Sequence, residues 1–79
     1  MKTLTRTEAA EMLGVDVERI WKEATYIAQD GDDKWYAYKP GIFFFNPTKQ
    51  WEADGAESFI CVGEPCDDYS KQVYRIEGE

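Results

Sequence analysis

The chain has 79 residues, with 16 Asp and Glu against 9 Lys and Arg, a formal charge of -7, and no histidine. A chain of this size buries only about 63 per cent of its unfolded surface, so one small domain over residues 1–79 is expected, with no second module. Without histidine, Ser–His and Cys–His nucleophilic mechanisms are excluded and the commonest protein ligand for zinc is missing, so an enzyme is not expected.

At 43% hydrophobic and 15% aromatic residues, the chain carries core material that a disordered acidic tail lacks. A pI near 4.5 speaks against direct binding of nucleic acid, whose partners usually carry a basic face, and points to basic proteins or to simple solubility. Residues 1–14 never reach the apolar run of a signal peptide, and nothing approaches the roughly 18 apolar residues of a membrane span. A cytoplasmic protein without membrane contact is expected.

Thr5 followed by Glu8 fits a capping box, Ala9, Ala10, Met12 and Leu13 are helix formers, and Gly14 sits where a left-handed residue ends a helix. This predicts a helix over about 6–13. Asp16 is a candidate second cap. Val17, Ile20, Trp21, Ala24, Ile27 and Ala28 follow helical spacing, which predicts a second helix over about 17–28. Its outer face would pair Glu18 with Lys22 and Arg19 with Glu23.

After the loop signal at 29–33 the period changes to two. Strands are predicted over about 34–39 and 42–46, joined at Pro40-Gly41 as a hairpin; a two-residue loop sets Tyr38 opposite Phe43 and Tyr36 opposite Phe45, and a longer loop, suggested by the poor match of a type II turn to strand twist, shifts these pairs. Residues 46–57 read as a loop with Trp51 folded back as an anchor, and further strands are predicted over about 58–62 and 72–76. The expected class is α+β: an N-terminal two-helix unit followed by an antiparallel sheet of three to four strands.

The run from Thr5 to Val15, with its Glu8-Ala9-Ala10 and Leu13-Gly14-Val15 segments and Ile20 beyond, resembles the helix-turn-helix of phage excisionases. That resemblance, over residues 5–28, implies a DNA-binding regulator with the 34–45 hairpin as its wing, and Arg6, Arg19, Lys22, Lys34 and Lys39 on DNA. Asp16 and Glu18 at the start of the second helix, and Asp30, Asp32 and Asp33 before the wing, depart from it because they repel phosphate.

The placement of acid is more informative than its total. Residues 1–40 hold six basic and eight acidic side chains, a balance of -2, whereas residues 41–79 hold three and eight, a balance of -5. Between Lys49 and Lys71 lie six acids and no base: Glu52, Asp54, Glu57, Glu64, Asp67 and Asp68. Spaced carboxylates on a rigid scaffold imitate the phosphates of a duplex. With Asp30, Asp32 and Asp33 they form the candidate partner-binding set. Asp30, Asp32 and Asp33, or Glu64, Asp67 and Asp68, are also hard oxygen donors, but neither group has calcium-loop spacing, so no metal or other cofactor is expected.

The aromatic block of Trp35, Tyr36, Tyr38, Phe43, Phe44 and Phe45 reads as core, with any exposed remainder an interface. Cys61 and Cys66 are too few for a zinc site and read as reduced thiols, and the acids around Cys66 make it a poor nucleophile. In size, acidity and mixed pattern the chain is similar to small phage-encoded inhibitors of the anti-CRISPR or DNA-mimic type. The likeness implies a monomer or weak homodimer in the host cytoplasm, occupying the basic nucleic-acid-binding site of a target such as a CRISPR effector complex.

Overall fold

The computed structural model describes residues 2–45, 47–53 and 57–77. The chain runs β1 (Lys2–Leu4), α1 (Arg6–Leu13), a 3-10 turn (Val17–Arg19), β2 (Tyr26–Gln29), β3 (Lys34–Tyr38), β4 (Ile42–Phe45), β5 (Gln50–Ala53), β6 (Glu57–Val62), a second 3-10 turn (Tyr69–Lys71) and β7 (Val73–Ile76). The capping box at α1 is formed: Thr5 Oγ1 accepts the Glu8 N–H at 3.1 Å and Glu8 Oε1 accepts the Thr5 N–H at 2.9 Å. Gly14 ends the helix at φ 70.

The expected second helix over 17–28 is absent. Its first residues make one 3-10 turn, and residues 26–29 are a strand. Arg6 donates to the carbonyls of Val17 at 3.1 Å and Ile20 at 2.8 Å, which closes that turn, and Ile20 then leaves in extended geometry. Asp16 makes no side-chain cap, and Arg19 reaches instead to the Ile60 carbonyl at 2.6 Å. The periodicity misled because β2 is the middle strand of a sheet covered on both faces. Ile27 and Ala28, each fully buried, then form an apolar run that reads equally as helix.

The five-stranded sheet has the order β1-β7-β2-β3-β6. β1 and β7 pair in parallel, and the other neighbours are antiparallel. The two-helix unit with a three- to four-stranded antiparallel sheet is thus replaced by one α-helix and seven strands in two sheets among the described residues. The expected 34–46 hairpin is also corrected. β3 lies between β2 and β6, whereas β4 pairs with β5, placing Phe44 opposite Trp51 within what had read as a loop.

The sheet divides the core in two. On one side α1 brings Ala9 and Ala10, small enough for close approach, onto Ile27, Trp35, Ala37, Ile60 and Ile76. On the other, the β4–β5 hairpin lays Trp51, Phe44 and Ile42 against Ala28, Tyr38, Tyr26 and Tyr36. Alternation along β2 and β3 sorts these residues to opposite faces. A bulge opposite Trp35/Tyr36 leaves Ile60 without a register partner, so that Ile60 and Cys61 both turn to the α1 side.

Candidate functional site

The hairpin is fastened to the sheet through Trp51. Its ring is buried, its N–H donates to Asp30 Oδ1 at 2.8 Å, its carbonyl accepts the Tyr38 hydroxyl at 3.3 Å, and its indole N–H donates to the Tyr69 carbonyl at 3.1 Å. Gly31 adds a backbone bond to the Lys49 carbonyl at 2.6 Å. These links hold Glu52 on the outer face of the hairpin while Trp51 faces inward.

The nine candidate acids separate by what they touch. Asp30 is 6% exposed and serves the fold: its carboxylate accepts from Trp51 and, at 3.2 Å, from the Tyr38 hydroxyl. Burial holds its pKa up, the hydrogen bonds from Trp51 and Tyr38 pull the other way, and the neighbouring Asp32 and Glu52 add to the rise. Asp32 is exposed and accepts the Lys34 N–H at 3.1 Å in a local turn. Asp33 is half-buried at φ 71 and accepts the Tyr69 hydroxyl. Asp30 and Asp33 thus turn to different partners and do not converge as metal ligands.

Glu57 opens β6 opposite Tyr38, which puts it on the hairpin side of the sheet. Partial burial raises its pKa, followed by repulsion from Asp30 and from Glu52. Asp30, Asp32, Glu52 and Glu57 therefore share one electrostatic neighbourhood. Glu64, Asp67 and Asp68 are exposed on the connection after the far end of β6. The Glu64 carbonyl accepts from Gln29 at 2.7 Å, and Asp68 accepts from the Ser70 N–H and hydroxyl, which lowers its pKa. Asp54 lies outside the described residues.

The chain's cations do little to neutralise this side. Among the described residues the ion pairs are Lys39 with Glu23 at 3.1 Å and Arg75 with Glu77 at 3.7 Å, neither involving a candidate acid. Three of the cations expected on DNA have other work: Arg6 and Arg19 bind backbone carbonyls, and Lys39 also lies 5.3 Å over the Trp21 ring. The 34–45 segment does not form the expected wing, since β3 and β4 are unpaired with each other.

The aromatic block splits in a way the core reading missed. Phe44 packs inward on Trp51 at 5.2 Å, whereas Phe43 and Phe45 are 52% and 43% exposed on the outer face of β4. Their cross-strand partners are Glu52 and Gln50. Phe59, opposite Tyr36 on the same side of the large sheet, is also exposed. The signal was available in the alternation along Ile42-Phe43-Phe44-Phe45, which sends two of the four side chains away from the core.

A groove of about 510 Å³ lies on the opposite side, where Met12, Leu13, Trp35 and Tyr74 meet Cys61 and Cys66. Both cysteines are unpaired, and burial pushes the Cys61 thiol up against a smaller opposing effect of Arg19, which keeps it protonated. Among the described residues, no helix is long and apolar enough to cross a membrane. No family model, curated protein sequence or solved structure matches this chain.

Proposed function

We propose that the protein is a non-enzymatic inhibitor that lays the hairpin side of its sheet on the basic nucleic-acid-binding surface of a target, such as a CRISPR effector complex, and keeps DNA out. The observation that carries this reading is the exposure of Glu52 on the outer face of the hairpin and of Glu57 on the hairpin side of the sheet, both outside the ion pairs of the described residues, with exposed phenylalanines beside Glu52. Carboxylates steer a basic target and set the register of contact, while aromatic rings supply affinity that survives salt. Asp32 extends the acid surface, whereas Asp30 and Asp33 support it from beneath. Asp68, Glu64 and Asp67 form a second acidic zone that is not required for docking.

The test has two arms. The purified protein should leave duplex DNA unshifted in a gel, and it should displace DNA from a nucleic-acid-binding complex retained from bacterial lysate at low salt and released at high salt. The double variant Glu52→Lys, Glu57→Lys should keep the wild-type circular dichroism and lose the displacement. A shift of duplex DNA at about micromolar protein, the affinity range of direct binders, overturns the reading. So does undiminished displacement by the double variant.

A further inference from the structure

We infer that the outer face of the β4–β5 hairpin selects arginine side chains of an extended, arginine-rich segment in its partner, by stacking on Phe43 and Phe45 beside Glu52 and Gln50. This rests on the docking face proposed above and names the chemistry it takes. Phe43 stands directly across from Glu52, and Phe45 directly across from Gln50. Directly opposed Cβ atoms lie about 5 Å apart, close enough for one planar guanidinium to cover the ring and turn an N–H edge to the neighbouring oxygen. Phe43 and Phe45 are two residues apart on one strand, so their rings repeat at roughly 7 Å, the spacing of alternate side chains on another extended chain. An Arg-x-Arg segment matches that repeat.

The backing of the face suits this use. Phe44 and Trp51 pack together underneath, and Trp51 is tied to Asp30, Tyr38 and Tyr69, so the outer rings stand on a fixed layer. Charge selects the occupant. A second copy of this chain, itself at -7, would bring Glu52 and Glu57 toward their own kind, whereas a cationic segment meets the Glu52 carboxylate beside Phe43 and the neutral Gln50 amide oxygen beside Phe45. Arginine is favoured over lysine because the guanidinium is weakly hydrated, planar and forked, while the ammonium is a strongly hydrated point charge that gives up more on leaving water.

The experiment compares two labelled synthetic peptides of equal length and charge, one alternating Arg with Ala and the other Lys with Ala, by fluorescence anisotropy in physiological salt. The arginine peptide should bind about tenfold tighter. The variant Phe43→Leu, Phe45→Leu keeps apolar bulk and removes the rings, and it should bring the two peptides to equal affinity with circular dichroism unchanged. Glu52→Gln should weaken both. Equal binding of the two peptides by the wild-type protein, or an arginine preference that survives loss of both rings, overturns this inference and leaves the acidic docking face standing. Failure of both peptides to bind overturns the two together.

Discussion

Asp30 accepts the backbone N–H of Trp51 at 2.8 Å across 21 residues of chain, and this bond holds one layer of the protein to the next. Asp30 leaves the end of β2, Trp51 lies in the middle of β5, and the Tyr38 hydroxyl bridges them by donating toward both the carboxylate and the Trp51 carbonyl. A residue type that reads as a solvated loop acid is here the fastening of the hairpin.

Removing that acceptor should therefore cost stability. Asp30→Ala leaves the buried Trp51 N–H without its acceptor and the Tyr38 hydroxyl with the Trp51 carbonyl alone, a loss of about 1–3 kcal/mol in urea denaturation. Asp30→Asn keeps an oxygen in place and removes a charge that burial penalises, so it should match or exceed the wild-type midpoint. Equal destabilisation by both variants would mean that the charge itself holds the hairpin.

The pH dependence follows from the same carboxylate. Asp30 and Glu57 both have folded pKa values above the ordinary carboxylate range, so the native state binds their protons more tightly than the unfolded chain. Their contribution to stability is full below the unfolded pKa and is lost as pH rises through the folded one. Asp68 acts oppositely, since its lowered pKa gives stability that is lost only as pH falls below the ordinary value. The urea midpoint should rise as pH is lowered from neutral toward the ordinary carboxylate range, and Asp30→Asn should flatten the rise. A midpoint that falls over that interval would contradict the burial of Asp30.

Two glycines should differ in what a methyl group does. A Cβ on Gly63 would overlap the Trp35 indole, 2.6 Å from Cδ1, and lie 3.0 Å from Gln29 Nε2. Both side chains are buried, so Gly63→Ala should cost about 1–3 kcal/mol by overpacking. A Cβ on Gly14 meets open space but sits at φ 70, and Gly14→Ala should cost about 1 kcal/mol through backbone conformation. Thermal denaturation of the two variants would rank them, and the reverse order would displace the Trp35 contact as the reason for glycine at position 63.

Local signals in the chain carried as far as their physics is local. The capping box of Thr5 and Glu8, the left-handed stop at Gly14 and the alternation of Lys34–Tyr38 each depend on neighbours a few residues away, and each is present. The excess of acid in the second half was likewise plain. What misled was the stretch 17–28, because a strand buried on both faces loses its alternation, and residues 50–53, because the short strand Gln50–Ala53 exists only through its pairing with β4.

Sequence alone thus determined a small acidic chain, its helix, four of its strands and the stretch where acids stand without bases. The tertiary structure decided the rest: the parallel pairing of β1 with β7, the removal of Asp30 from the surface, and the outward turn of Phe43 and Phe45 beside Glu52. The reason is common to all three. Strand partners and burial are set by contacts between residues far apart in the chain, and a carboxylate or a phenyl ring carries no local mark of whether the opposite layer will cover it.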